Sequence, residues 1–197
     1  MKLVIASRNV HKIREFRAML KGLRHLDIYS LIDFPQYQPL PETGKTFEEN
    51  AVQKALHAAG SLGLWALADD SGLVIPALGG APGIYSARYA GESASDKENR
   101  KKLLNEMRPF KDQERAAYFE CCLALASPQE LKKSVCSSCE GTITEEEKGR
   151  SGFGYDPVFQ KHEYSKTFAE LEEEVKNRIS HRRKAMDKIL LLLEMLK

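Results

Sequence analysis

Neither sign of charge dominates this sequence. Its 30 lysines and arginines against 28 aspartates and glutamates leave a net charge of only +2. A protein built to neutralise a phosphate backbone carries a much larger positive excess, so nucleic acid is not an expected partner. No apolar run approaches the roughly 20 residues that cross a bilayer, so no membrane-spanning helix is expected. No charged-then-apolar leader precedes the first strand-like run, and the expected location is the cytoplasm. Repeats, linkers and low-complexity tracts are missing too, so residues 1–197 are read as one domain, with enough chain for two lobes around ample core. The Gly-x-x-x-x-Gly-Lys pattern of a phosphate loop does not occur. Cysteine is scarce: Cys121, Cys122, Cys136 and Cys139. "CSSC" has the spacing of half a zinc site or of a redox pair, but a complete zinc site needs further ligands. Buried structural cysteine is the competing reading.

What is present reads as alternating α and β elements. "KLVIAS" is a short apolar run, and in "RNVHKIREFRAMLKG" Ile13, Phe16 and Leu20 follow at helical spacing. This predicts strand, tight loop and helix, with Asn9, His11 and Lys12 at the helix start. Unpaired N–H groups and a partial positive charge there suit a phosphate. Thr46-x-x-Glu49 is a capping-box pattern and predicts a helix from about Phe47 to Gly60 or Gly63. "LWALADDSGLVIPALGG" reads as strand, turn, strand, with Asp69 and Asp70 where the first apolar run ends. "GGAPGIYSARYAG" is too rich in glycine and proline for regular structure. Ser95-x-x-Glu98 opens another helix, "RAAYFECCLALAS" and "KKSVCSSCEGTIT" read as paired strands, and "TFAELEEEVKN" reads as a helix capped by Thr167. From about Ser180 a closing helix carries Ala185, Met186, Ile189, Leu193 and Leu196 as a core stripe.

"SGFGYDPVF", residues 151–159, breaks the pattern. Its glycines weaken both helix and strand, and Asp156 before Pro157 is biased toward an extended or turn conformation. The stretch reads as a loop fixing an aromatic face and an acid, or as a plain structural turn.

Polar residues gather at element ends: Asn9 and Lys12, Glu42, Asp69, Asp70 and Ser71, the 151–157 loop, Lys176, His181 and Arg182. Acids lie mid-chain and cations at both ends. One reading is solvated helix faces and a strand-end turn. The other is a divalent metal between carboxylates, with cations on phosphate oxygens and one acid free to accept a proton from water.

"SRNVHKIREF", "PETGKTFEENAVQKA", "ADDSGLVIPALGGAPGIYSARYAG", "SGFGYDPVF" and "ISHRRKAM" occur in that order. Together they resemble the inosine triphosphate pyrophosphatase family, the Ham1-like dITP/XTP diphosphatases, over nearly the whole chain. The resemblance implies an elongated α/β fold of two lobes around a long mixed sheet with flanking helices. It further implies an active site in the cleft between the lobes, a homodimer, and Mg²⁺-dependent hydrolysis of ITP, dITP and XTP at the α–β phosphoanhydride. Carried over by motif, Ser7, Arg8, Asn9, Val10, His11 and Lys12 line the triphosphate. Glu42 and Asp70 hold the metal, with Asp69 a weaker candidate, and Asp70 also accepts the proton. Ser71, Phe153, Gly154, Tyr155, Asp156, Lys176, His181 and Arg182 contact the nucleotide, with Phe153 as a stacking face and Arg182 or a backbone N–H as the donor to purine O6. One departure stands out: the family shows Thr-Gly-Asn where this chain has Ser7-Arg8-Asn9, which makes Arg8 a candidate phosphate contact. The alternatives are a pyrophosphatase for modified pyrimidine nucleotides and a nucleotide-binding regulatory module without turnover.

Overall fold

The computed structural model describes residues 1–196. The elements are β1 (Lys2–Ile5), α1 (Val10–Leu20), β2 (Asp27–Ser30), α2 (Phe47–Leu62), β3 (Trp65–Val74), α3 (Asp96–Glu106), β4 (Ala116–Ala126), β5 (Leu131–Ile143), β6 (Phe159–Lys161), α4 (Glu173–Ile179) and α5 (His181–Met195). The strands form one sheet in the order β2-β1-β3-β4-β5-β6. β1 runs parallel to both neighbours, whereas β5 and β6 are antiparallel, so the sheet is mixed. The α/β class with helices around a mixed sheet is as expected. Lys197, the last residue assigned to the closing helix and to the domain, lies outside the described residues.

Local chemistry sets the boundaries. Asn9 is the N-cap of α1, its Oδ1 accepting from the His11 and Lys12 amides at 3.0 and 3.2 Å. Thr46 Oγ1 accepts from the Glu49 amide at 3.1 Å to open α2, and Gly63 closes it in the left-handed region with φ 64°. Ser95 and Glu98 bond reciprocally to start α3.

Three element expectations are corrected. β3 continues through Asp69, Asp70 and Ser71 instead of turning there. Asp69 and Asp70 both meet cations and hydrogen-bond donors, so the strand carries them without breaking. The segment after Thr167 forms a single 3₁₀ turn, Phe168–Glu170, then extends at Leu171 and Glu172 before α4 begins. The capping box is there, but it closes a turn rather than a helix. In the glycine- and proline-rich stretch Gly83–Arg88 is 3₁₀, and Pro76–Leu78, just before it and read as the end of a second strand, is a 3₁₀ turn as well. β2 was not foreseen. Its short "DIYS" pairs along β1, and pairing rather than pattern makes it a strand.

The chain divides into two compact units. The first comprises Met1–Asp70, Cys121–Ser137 and the chain from Arg182 onward; the second comprises Ser71–Glu120 and Ser138–His181. In the first, Leu3, Ile5 and Leu67 pack with Phe16, Leu123 and the α5 stripe of Ala185, Met186, Ile189 and Leu193. In the second, Leu73, Leu103, Met107, Phe119, Phe159 and Phe168 form the core.

Cys122 is disulfide-bonded to Cys136 in the first unit. The "CSSC" spacing is therefore not a local pair. Residues three apart on β5 face opposite sides of the sheet, so Cys136 and Cys139 cannot converge on one ion. Cys139 is buried and donates to the Ile179 carbonyl at 3.6 Å.

Candidate active site

Two polar groups emerge, one in each unit. In the first, adjacent residues of β3 point to opposite faces, which gives two neighbouring aspartates different surroundings.

Asp69 is fully enclosed. Lys12 pairs with its Oδ1, while Arg182 Nε, at 3.0 Å, and the Cys121 thiol, at 3.1 Å, donate to Oδ2. Arg182 is itself buried, and its Nη1 donates to the buried Glu15. Burial opposes the Asp69 charge, but Arg182 and Lys12 overcome it and hold the carboxyl well below its ordinary range. Burial likewise opposes the Arg182 charge, yet Asp69 and Glu15 keep it firmly protonated. Burial, together with the neighbouring Asp69 charge, keeps the Cys121 thiol un-ionised, its pKa far above the usual value.

Asp70 stands on the other face. Its Oδ1 accepts from Lys54 Nζ at 2.7 Å and its Oδ2 from Asn50 Nδ2 at 3.2 Å. The same ammonium reaches Glu42 Oε1 at 3.0 Å. Here burial outweighs Lys54, and the Asp70 pKa is raised. Lys54 is shifted up in turn: burial works against its charge, and Asp70 and Glu42 overcome it.

One cation thus sits between two carboxylates, one of them half-exposed. That is an oxygen-rich donor pair of the kind a hard divalent ion takes, and the lysine ammonium stands in for the positive charge. Glu42 and Asp70 therefore fit a Mg²⁺ ion. Asp69 does not, because Lys12, Arg182 and Cys121 surround its oxygens.

The remaining residues near the start of α1 are less uniform in role. Ser7 Oγ accepts from the Asn9 amide at 3.1 Å, so Ser7 and Asn9 shape the loop, while Val10 and His11 are exposed on the first turn. Arg8 Nη2 donates to the Tyr37 carbonyl at 2.7 Å.

The second unit holds the other group. Asp156 Oδ2 accepts from Lys176 Nζ at 2.5 Å and from the Phe153 amide at 2.9 Å. The carboxylate folds back so closely that a Cβ at Gly152 would lie 2.1 Å from Oδ2. Gly152 also has φ 76°, which answers why the loop needs glycine there. Lys176 Nζ lies 4.7 Å from the centre of the Phe153 ring. The Gly154 amide donates to Asp96, and its carbonyl accepts from Arg100 at 2.8 Å. Tyr155 is buried and donates to the Ser86 carbonyl at 2.9 Å; burial, chiefly, raises its pKa. His181 stacks on Phe119 with ring centroids 4.7 Å apart. Ser71 is half-buried on β3.

Of the expected residues, Lys12, Asp69 and Arg182 come together on one face of β3, Glu42 and Asp70 on the other, and Phe153, Asp156 and Lys176 in the second unit. Two nitrogens of Arg182 are held by carboxylates, and Arg182 braces Asp69 in the first unit. Asn50, Lys54, Glu15, Cys121 and Arg100 were not foreseen. Asn50 and Lys54 are four apart on α2, inside a motif already noted. Glu15 follows Lys12 by three on α1. Both spacings place their side chains on one helix face, the only signal available beforehand.

The profile of the Ham1 family matches residues 3–191. A dITP/XTP pyrophosphatase of Protochlamydia amoebophila (strain UWE25) is 57% identical over the full length of both chains. Among solved structures, a HAM1 protein from Coxiella burnetii is 40% identical with a TM-score of 0.88, each chain covered completely. The Staphylococcus aureus Ham1 protein is also 40% identical, with a TM-score of 0.86 and 98% of each chain covered.

Proposed function

The chain belongs to the Ham1 family, and from that premise we propose that it is a dITP/XTP pyrophosphatase. Its reaction is hydrolysis of deaminated purine nucleoside triphosphates, dITP, ITP and XTP, at the α–β phosphoanhydride, giving the monophosphate and pyrophosphate. The observation that carries the mechanism is the splitting of Asp69 and Asp70 onto opposite faces of β3, the first held by Lys12, Arg182 and Cys121 with its pKa lowered, the second by Lys54 and Asn50 with its pKa raised.

Asp70 accepts the proton of the attacking water. Burial raises its pKa, which makes its carboxylate a stronger base, while Lys54 Nζ at 2.7 Å favours the charged form against that rise. The water oxygen bonds to the α-phosphorus as the bond to the bridging oxygen breaks, and pyrophosphate leaves with that oxygen. Lys12, aligned by Asp69, and the amides at the start of α1 supply positive potential for the triphosphate. Glu42 and Asp70 would hold Mg²⁺, which when bound would polarise the phosphoryl oxygens. Lys54 pairs with both of these acids, at 3.0 and 2.7 Å.

Phe153, Asp156, Lys176 and His181 recognise the nucleoside. A 6-oxo purine accepts at O6 and donates at N1, and adenine reverses both. A site matched to the first pattern leaves polar groups unpaired with the second, which discriminates by as much as about 10⁴-fold. A homodimer and a cytoplasmic location complete the proposal and rest on the family resemblance and the sequence alone. Among the described residues no helix is long and apolar enough to cross a membrane.

End-product analysis tests the reading. With Mg²⁺, dITP and XTP are expected to give monophosphate and pyrophosphate, with little turnover of dGTP or dATP. Release of orthophosphate and diphosphate would move the cut to the outer bond. Tight dITP binding without turnover would favour a regulatory module, and preference for modified pyrimidines would reassign the base site.

A further inference from the structure

Arg8 is exposed to solvent and also reaches back to the chain. Although it stands in an exposed loop, its Nη2 donates to the Tyr37 carbonyl at 2.7 Å, across 29 residues of sequence. Tyr37 is buried, and its hydroxyl lies 2.7 Å from His57 Nδ1, with the two rings 5.3 Å apart. His57 belongs to α2, one turn beyond Lys54 on the same helix. Between Tyr37 and α2 runs the segment that carries Glu42, and Glu42 ends on Lys54 at 3.0 Å. The Leu31 amide adds a bond to the Ser7 carbonyl at 3.3 Å at the other end of the segment.

The segment 31–46 contains only one short 3₁₀ turn, Leu31–Asp33, and no long helix or strand of its own. Its path to Glu42 is therefore set by the places where it is pinned. Tyr37 is one such place, gripped through its backbone by Arg8 and through its side chain by His57. A guanidinium donating to a carbonyl is a charge-assisted bond, stronger than a neutral pair.

We propose that Arg8 is a positioning residue for Glu42: it ties the loop that opens α1 to the segment bearing the exposed metal carboxylate, so the two arrive in register. Resting on the metal reading given above, this assigns Arg8 a role through Glu42 rather than contact with phosphate. Any bound phosphate then meets Lys12 and the helix start without Arg8.

The test has two parts. Hydrogen–deuterium exchange of the protein without metal or nucleotide compares wild type with Arg8→Ala. Peptides covering residues 34–46 are expected to exchange faster, by roughly tenfold, while those covering α3 are unchanged. The loop stays packed in the variant because Tyr37 retains His57. Mn²⁺ binding, followed by its paramagnetic resonance signal, is then measured in wild type, Arg8→Ala, Glu42→Gln and the double variant. Arg8→Ala is expected to weaken binding roughly three- to tenfold alone, and to add nothing once Glu42 has been replaced. Unchanged exchange over 34–46, or equal weakening in both backgrounds, overturns the proposal. So does a raised KM for dITP with Mn²⁺ affinity intact, which makes Arg8 a direct phosphate ligand. If wild type binds no Mn²⁺, the metal reading fails separately, and the exchange data decide whether the tether exists.

Discussion

At the scale of single residues, two adjacent aspartates part company because a strand turns their side chains to opposite faces. Asp69 serves the structure: Lys12 and Arg182 are held through it, and Glu15 completes the buried network. Asp69→Asn would leave two cations poorly compensated in an enclosed site. The expected loss of stability is about 3–5 kcal/mol, read from the urea midpoint. In the proposed mechanism Asp70 serves the chemistry. Asp70→Asn is expected to keep the fold, and the same urea midpoint to within about 1 kcal/mol, while turnover of dITP falls by at least ~10³-fold. Equal destabilisation by both substitutions would deny the division of labour. A sequence reader can see that the two acids are special, since they interrupt an apolar run, but not which is locked. That depends on Lys12, Arg182 and Cys121, drawn from α1, α5 and β4.

At the scale of elements, most boundaries follow from caps that the sequence displays openly. Thr46 and Ser95 act where the pattern places them, Gly63 is the one of the two candidate glycines that closes α2, and Asn9 at the expected start of α1 proves to be its cap. The Thr167 box fails to open a helix because Leu171 and Glu172 take extended backbone immediately after one turn. Two glycines separate conformational from steric need. Gly63 has φ 64° and nothing within 4 Å of an added Cβ, so Gly63→Ala is expected to cost only the left-handed backbone, about 1 kcal/mol. Gly152 has φ 76° and would place a Cβ against the Asp156 carboxylate. Gly152→Ala should displace Asp156 from Lys176 and the Phe153 amide. The measurement is KM for dITP beside the thermal midpoint: a raised KM is expected for Gly152→Ala and an unchanged one for Gly63→Ala.

At the scale of the whole molecule, the two aspartates give acid inactivation and acid unfolding different positions on the pH axis. Asp70 has a folded pKa above the ordinary aspartate value of about 4, so the native protein binds that proton more tightly than the unfolded chain. Its contribution to stability rises as pH falls through that raised value, while the base that the proposed mechanism assigns to it is lost. Asp69 has a folded pKa well below the ordinary value, so its stabilisation is complete above about pH 4 and disappears only as pH falls through the depressed value. Activity is therefore expected to vanish on acidification before the fold does, and to return on neutralisation. Comparing the pH profile of kcat/KM with near-ultraviolet circular dichroism checks this; coincident loss of both would contradict it.

Local sequence determined the elements whose causes are local. Caps, helical stripes and the buried runs of β1 and β4 are all written in neighbouring residues. Full-length motif blocks carried the family as well. The tertiary structure alone decided the continuity of β3 through two carboxylates, the pairing of Cys122 with Cys136, the entry of Asn50 and Lys54 beside Asp70, and the grip of Arg8 on Tyr37. Each of these depends on charges or atoms contributed from distant positions. A buried carboxylate is tolerable in a strand only once its cations have arrived, and no spacing within the strand announces them.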